Sequence, residues 1–78
     1  MAAITEEDRN AFADAYRFYE QHWDMPDTAE AWDECARHVA EIIPKYEDKN
    51  LIGELLMACY SAIDRRRAEI RKILNATV

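Results

Sequence analysis

The stretch Asp27-Thr28-Ala29-Glu30-Ala31-Trp32-Asp33-Glu34-Cys35-Ala36-Arg37-His38-Val39-Ala40-Glu41-Ile42-Ile43, held between Pro26 and Pro44, decides the fold. Its apolar residues Trp32, Cys35, Val39 and Ile42, with Tyr46 beyond the second proline, recur at steps of three, four, three and four. That is the α-helical period, and Ala36 and Ile43 widen the stripe. Asp27 with Glu30 three residues on has the spacing of a capping box, with Asp in place of the usual Ser or Thr. Pro26 disfavours helical dihedrals at Met25, and Pro44 removes a backbone donor and crowds the preceding turn. The stretch predicts a helix over about 28–43 and leaves a segment on either side of it.

Upstream, Thr5 is a good N-cap, and Glu6, Glu7 and Asp8 suit the positive end of a helix dipole. Phe12, Tyr16, Tyr19 and Trp23 recur at four, three and four, and Ala11, Ala15 and Phe18 widen this stripe on one side, which predicts a helix over about 6–23 whose wide apolar face touches two neighbours. Downstream, Asn50 is the expected cap of a third helix over about 51–76, with Ile52, Leu55, Leu56, Cys59, Ile63, Ile70, Ile73 and Leu74 on its apolar side. At 1.5 Å per residue that helix is roughly 39 Å long against roughly 25 Å for each of the others. Short connections favour antiparallel neighbours. The expected fold is therefore all-α, an up-down-up antiparallel three-helix bundle with a longer C-terminal helix, forming one domain over residues 1–78. A helical hairpin whose third helix is exchanged into a dimer is the alternative.

Composition agrees with this class. Half the 78 residues are apolar and a third are charged, with one glycine and two prolines, too little turn chemistry for a many-stranded sheet. The start of the chain has neither a basic region nor an apolar run of signal-peptide length, and no segment has the ~20 apolar residues of a membrane span. Cys35 and Cys59 are therefore expected to be reduced thiols in a cytoplasmic protein.

The net charge of −6 is unevenly spread. Residues 1–63 carry 14 acids and 5 bases, net −9, whereas residues 64–78 carry 5 bases and 2 acids, net +3. Opposite charge at two ends favours self-contact or a partner of complementary charge. On the third helix Arg66 and Arg67 flank the apolar seam, and with an antiparallel second helix Ile70, Ile73, Leu74 and Val78 run past their partners. The first interhelical loop should reach the same end. An interaction surface of Trp23, Met25, Arg66, Arg67, Ile70 and Leu74 is expected there, because exposed apolar patches with a polar rim mark contact sites and Trp and Arg are enriched in them. The alternative is that the loop closes over the helix end and buries these residues.

Other chemistries fit less well. A zinc site would need Cys35, Cys59, His22 and His38 to converge, and the antiparallel arrangement places His22 far from the rest, so no metal or cofactor is expected. Cys35 and His38 lie three residues apart, the minimum for an activated thiolate, but Cys35 falls on the core stripe, where burial raises a thiol pKa. Glu34 and His38, at i, i+4, suit a surface pair better than an acid–base dyad. A DNA-reading third helix would begin with Leu51, Ile52, Glu54 and Leu55, none of which reads bases as Arg, Lys or Gln would, and an acidic chain binds phosphate weakly. The sequence therefore favours a non-catalytic protein-interaction module, expected to form a homodimer, with no nucleic acid, membrane or small-molecule substrate. The alternative is an acidic decoy or inhibitor occupying the basic groove of a nucleic-acid-binding protein.

Overall fold

A computed structural model describes residues 3–76, and it is all-helical. Helix α1 spans Glu6–His22, α2 spans Ala29–Ile42, a single 3-10 turn covers Ile43–Lys45, and α3 runs from Lys49–Ala76. With 28 residues, α3 is twice the length of α2 and about 42 Å long.

Local chemistry sets each boundary. Thr5 has an extended backbone and its hydroxyl accepts from Asp8 N at 3.1 Å, with three acids in the first turn behind it. At α2 the cap is Thr28, whose hydroxyl accepts from Ala31 N at 3.2 Å, and not Asp27. Asp27 is drawn off to other partners, since its carboxylate accepts from Trp32 Nε1 at 2.9 Å and from Arg71 Nε at 2.7 Å. Pro44 sits inside the 3-10 turn, so α2 ends at Ile42. Tyr46, expected to continue the stripe of α2, lies beyond that turn with its side chain buried, and its hydroxyl donates to Asp14 Oδ2. The start of α3 is shifted by two residues, to Lys49. Asp48 Oδ1 accepts from Asn50 N at 2.9 Å, so Asp48 does the capping expected of Asn50.

The core takes only part of the wide face expected of α1. Ala11, Ala15, Phe18 and His22 are buried, whereas Phe12 and Tyr16 are 57% and 64% exposed. Both rows have helical spacing and differ by one residue, about 100° of rotation. The small row faces inward because it lets α3 approach closely enough for Cys59 Sγ to reach Ala15 O at 3.6 Å. Phe18 then fills the core with Ile52, Leu56 and Ile63, all fully buried. The most extensive contact is between α1 and α3. Larger groups join α2 to that pair: the rings of Trp32 and Tyr60 lie 5.2 Å apart, those of Phe18 and His38 5.5 Å.

Three substitutions test this assignment by urea unfolding. Ala15→Leu should cost about 1–3 kcal/mol by overpacking the α1–α3 contact. Phe12→Ser on the outer row should change stability by less than about 0.5 kcal/mol. Gly53→Ala should stabilise by about 0.5–1 kcal/mol, because a Cβ there meets no atom within 4 Å and alanine removes freedom only from the unfolded chain.

Candidate interaction surface

The loop between α1 and α2 divides its two large apolar residues. Met25 turns into the core, helped by its backbone N–H donating to His22 O at 3.1 Å, so it takes no part in an exposed surface. Trp23 stays outside, 38% exposed, with its ring 5.7 Å from that of Tyr19. The guanidinium carbon of Arg66 lies 3.5 Å from the centre of the Trp23 ring, a cation–π contact worth about 0.5–1 kcal/mol at a site with this much solvent. Arg66 Nε is buried without a hydrogen-bond partner, so the ring face is the main recompense for that side chain.

Arg67 acts inward. Its side chain is only 10% exposed, and Nη2 donates to Trp23 O at 2.9 Å, satisfying a carbonyl left open by the end of α1. Both guanidinium groups lie near the exposed Asp24 carboxylate, at 3.7 Å from Arg66 and 3.5 Å from Arg67. Arg71 pairs with Asp27 at 2.7 Å. Hydrogen bonds from Trp32 first, and then from Arg71, hold the Asp27 carboxyl below its usual pKa. The loop is thereby tied to α3 at two levels. Ile70 is half-buried, while Ile73 is 64% exposed and Leu74 is also largely exposed. Val78 lies outside the described residues.

Of the six residues expected to form the surface, then, Trp23 and Arg66 come together on the outside, with Ile70 and Leu74 farther along α3; Met25 and Arg67 are directed inward. One apolar feature with exposed rings was not anticipated as a surface. It is the row Phe12, Tyr16, Tyr19 and Trp23 along α1, where Tyr16, Tyr19, Glu20 and Trp23 line one shallow depression and Tyr19 and Trp23 share a second with Ala62, Arg65, Arg66 and Glu69. A signal was available: Asp8 and Glu20 lie one turn beyond Phe12 and Tyr16 on the same i, i+4 row, as solvent-facing positions would.

A histidine pair also emerges that linear spacing hid. His22 Nε2 and His38 Nδ1 are 2.8 Å apart, one donating and the other accepting. His22 was expected far from His38; it is close because it continues the inner row of α1, one turn after Phe18, and α2 crosses there. Gln21, Glu34, Arg37 and Glu41 line the opening beside them. Among the described residues no group of three or more His, Cys, Asp or Glu is arranged to hold a metal ion. Cys35 is buried and Cys59 half-buried, both are free thiols, and burial pushes both upward in pKa, away from the thiolate. The Tyr46 hydroxyl is pushed up to about 12 by burial and by its hydrogen bond to Asp14. Among the described residues no helix is long and apolar enough to cross a membrane. Comparisons with models of protein families, with curated proteins and with solved structures find no match to this chain.

Burial first, and the charge of His38 second, hold His22 below its ordinary pKa of 6.5, with Glu34 opposing. The unfolded chain therefore takes up this proton more readily than the folded one. Stability should be fully present above about pH 6.5 and decline as the pH falls through the lowered folded value. Thermal melts between pH 7.5 and 5 should show a falling Tm for the wild type and a flatter profile for His22→Gln; equal slopes would dismiss the pair as its source.

Proposed function

We propose that this chain is a small non-catalytic protein-interaction module, and that its working surface is the outer edge where α1 meets α3. The carrying observation is the exposed aromatic row Phe12–Tyr16–Trp23 on a chain whose Phe18, Ile52, Leu56 and Ile63 are fully buried. A helix that already buries one row against its neighbours has no structural need for a second row of rings, and exposed aromatics beside arginine are the composition of protein contact sites. The Trp23–Arg66 stack extends this surface onto α3, toward Ile70, Ile73 and Leu74.

The frame we infer is the up-down-up bundle. It is supported by contacts whose numbers rise together in α1 and α3, Glu7 with Asp48, Ala15 with Cys59 and Trp23 with Arg67, and by contacts that run oppositely between α1 and the α2 side, His22 with His38 and Asp14 with Tyr46. Free cysteines and the acidic composition accord with a cytoplasmic setting.

A second reading draws on the cleft beside Tyr46, where Glu6, Glu7, Asp14 and Glu47 outnumber Arg17 and Lys45 and leave a net acidic lining that suits a basic partner such as the groove of a nucleic-acid-binding protein. The two readings part in one experiment, capture of partners from the native host by wild type, Tyr16→Lys and Glu6→Lys/Glu7→Lys chains at low and high salt. Loss with Tyr16→Lys, in a chain whose melting temperature is unchanged, supports the aromatic edge. Loss with the lysine pair or at high salt alone supports the acidic cleft.

A further inference from the structure

The chain holds two histidines, and both stand at one contact between α1 and α2. α1 packs far more extensively on α3 than on α2, and rings dominate the smaller interface. Phe18 lies 4.8 Å from the His22 ring and 5.5 Å from the His38 ring, and the imidazoles share the hydrogen bond of 2.8 Å between His22 Nε2 and His38 Nδ1. His22 is buried and His38 half-buried. The charged groups that face the pair all come from α2: Glu34, Arg37 and Glu41 at one opening, Glu30 with Glu34 at another. They are exposed, and Glu34 lies 3.8 Å from Arg37. α1 adds the uncharged Gln21, the loop adds only uncharged groups, and α3 lines neither opening.

We propose that the His22–His38 contact is a proton-operated latch, which holds the middle of α2 against α1 near neutral pH and releases it in acid while α1 and α3 stay packed. In the neutral pair one nitrogen at the contact carries a proton and the other a lone pair. A first added proton goes to an outer nitrogen and leaves the hydrogen bond intact. A second places N–H groups on both sides of the 2.8 Å gap and a positive charge on both rings, so the bond loses its acceptor and becomes a repulsion. Burial and the neighbouring His38 outweigh Glu34 in disfavouring the charged form of His22. Lifting α2 separates the rings and lets water reach them. It also uncovers Cys35, one turn before His38 and fully buried when α2 is docked. The other ties of α2 hold no imidazole: Asp27 with Arg71 and Tyr46 with Asp14 at its ends, and the Trp32 ring on that of Tyr60. The α1–α3 core of Ala11, Ala15, Ile52, Leu56 and Ile63 is apolar, so the same protons leave it in place. Such opening of one element below the global transition is a general property of folded chains.

The experiment labels Cys35 with 4,4′-dithiodipyridine, which reacts with thiols in mild acid, at pH 7.5 and pH 5, and separates it from Cys59 by peptide mass. The labelling rate of the folded chain divided by that of the urea-unfolded chain at the same pH gives an opening constant for α2. Urea titration gives the unfolding constant of the whole chain. An imidazole of ordinary pKa 6.5 that is kept neutral when docked and is free to charge when undocked makes opening about 30-fold easier at pH 5 than at pH 7.5. The wild-type opening constant should therefore rise by about tenfold to thirtyfold, and at pH 5 it should exceed the unfolding constant by about tenfold or more. His38→Gln, which keeps a polar group but takes up no proton, should change by less than about threefold. An opening constant that equals the unfolding constant at both pH values, or that does not rise in acid, overturns the latch, as does a folded His38→Gln chain that rises like the wild type. The wild-type comparison decides alone if His38→Gln does not fold, and no outcome depends on which surface binds a partner.

Discussion

The close approach of α1 to α3 across Ala11 and Ala15 is the constraint on which the other features depend. Two alanines on one row remove the side-chain bulk that would hold the helices apart, and Cys59 comes near enough for its sulfur to reach a carbonyl of α1. Phe18, on the same row, then supplies the volume that fills the space with Ile52, Leu56 and Ile63. Once that row is committed inward, rotation of about 100° per residue leaves Phe12 and Tyr16 outside. The exposed aromatic edge is thus a geometric consequence of which row is small.

The same rotation accounts for the histidines. His22 ends the inner row, and at that level it meets α2, so its ring finds His38. A polar group buried there is tolerable because the two imidazoles satisfy one another, and it remains sensitive to protonation because burial disfavours the charged form of His22. α2 is held by large rings and by polar ties at its ends. Asp27 joins the indole of Trp32 to Arg71, and Tyr46 returns to Asp14 on α1. These ties hold the interhelical loop against α3, which turns Met25 inward and sets Trp23 on Arg66.

Much of this was legible in order along the chain. The periods of all three helices, Thr5 as a cap, the interruption at Pro44 and the greater length of α3 follow from local rules that act within a few residues. The caps at Asp27 and Asn50 were misassigned by one and two residues because each lies beside another polar residue able to cap, and remote partners decided between them: Arg71 engages Asp27, leaving Thr28 to cap α2. The packed face of α1 is narrower than its sequence suggests, by Phe12 and Tyr16, for a related reason. Two rows of equal period compete, and hydrophobic size favours the aromatic one, whereas the shape of the neighbouring helix favours the small one.

The sequence by itself determined that this chain is helical, where its helices begin and end to within a residue or two, and that its charge is split along its length, because backbone propensity, capping and composition are local properties. Only the tertiary structure decided which face of α1 is interior, that His22 meets His38, that Arg67 closes the end of α1 while Arg66 lies over Trp23, and that the aromatic row joins the α3 side into one edge. Each of those depends on distances between residues 16 to 44 positions apart, and such distances are set by helix packing, which periodicity along one helix does not encode.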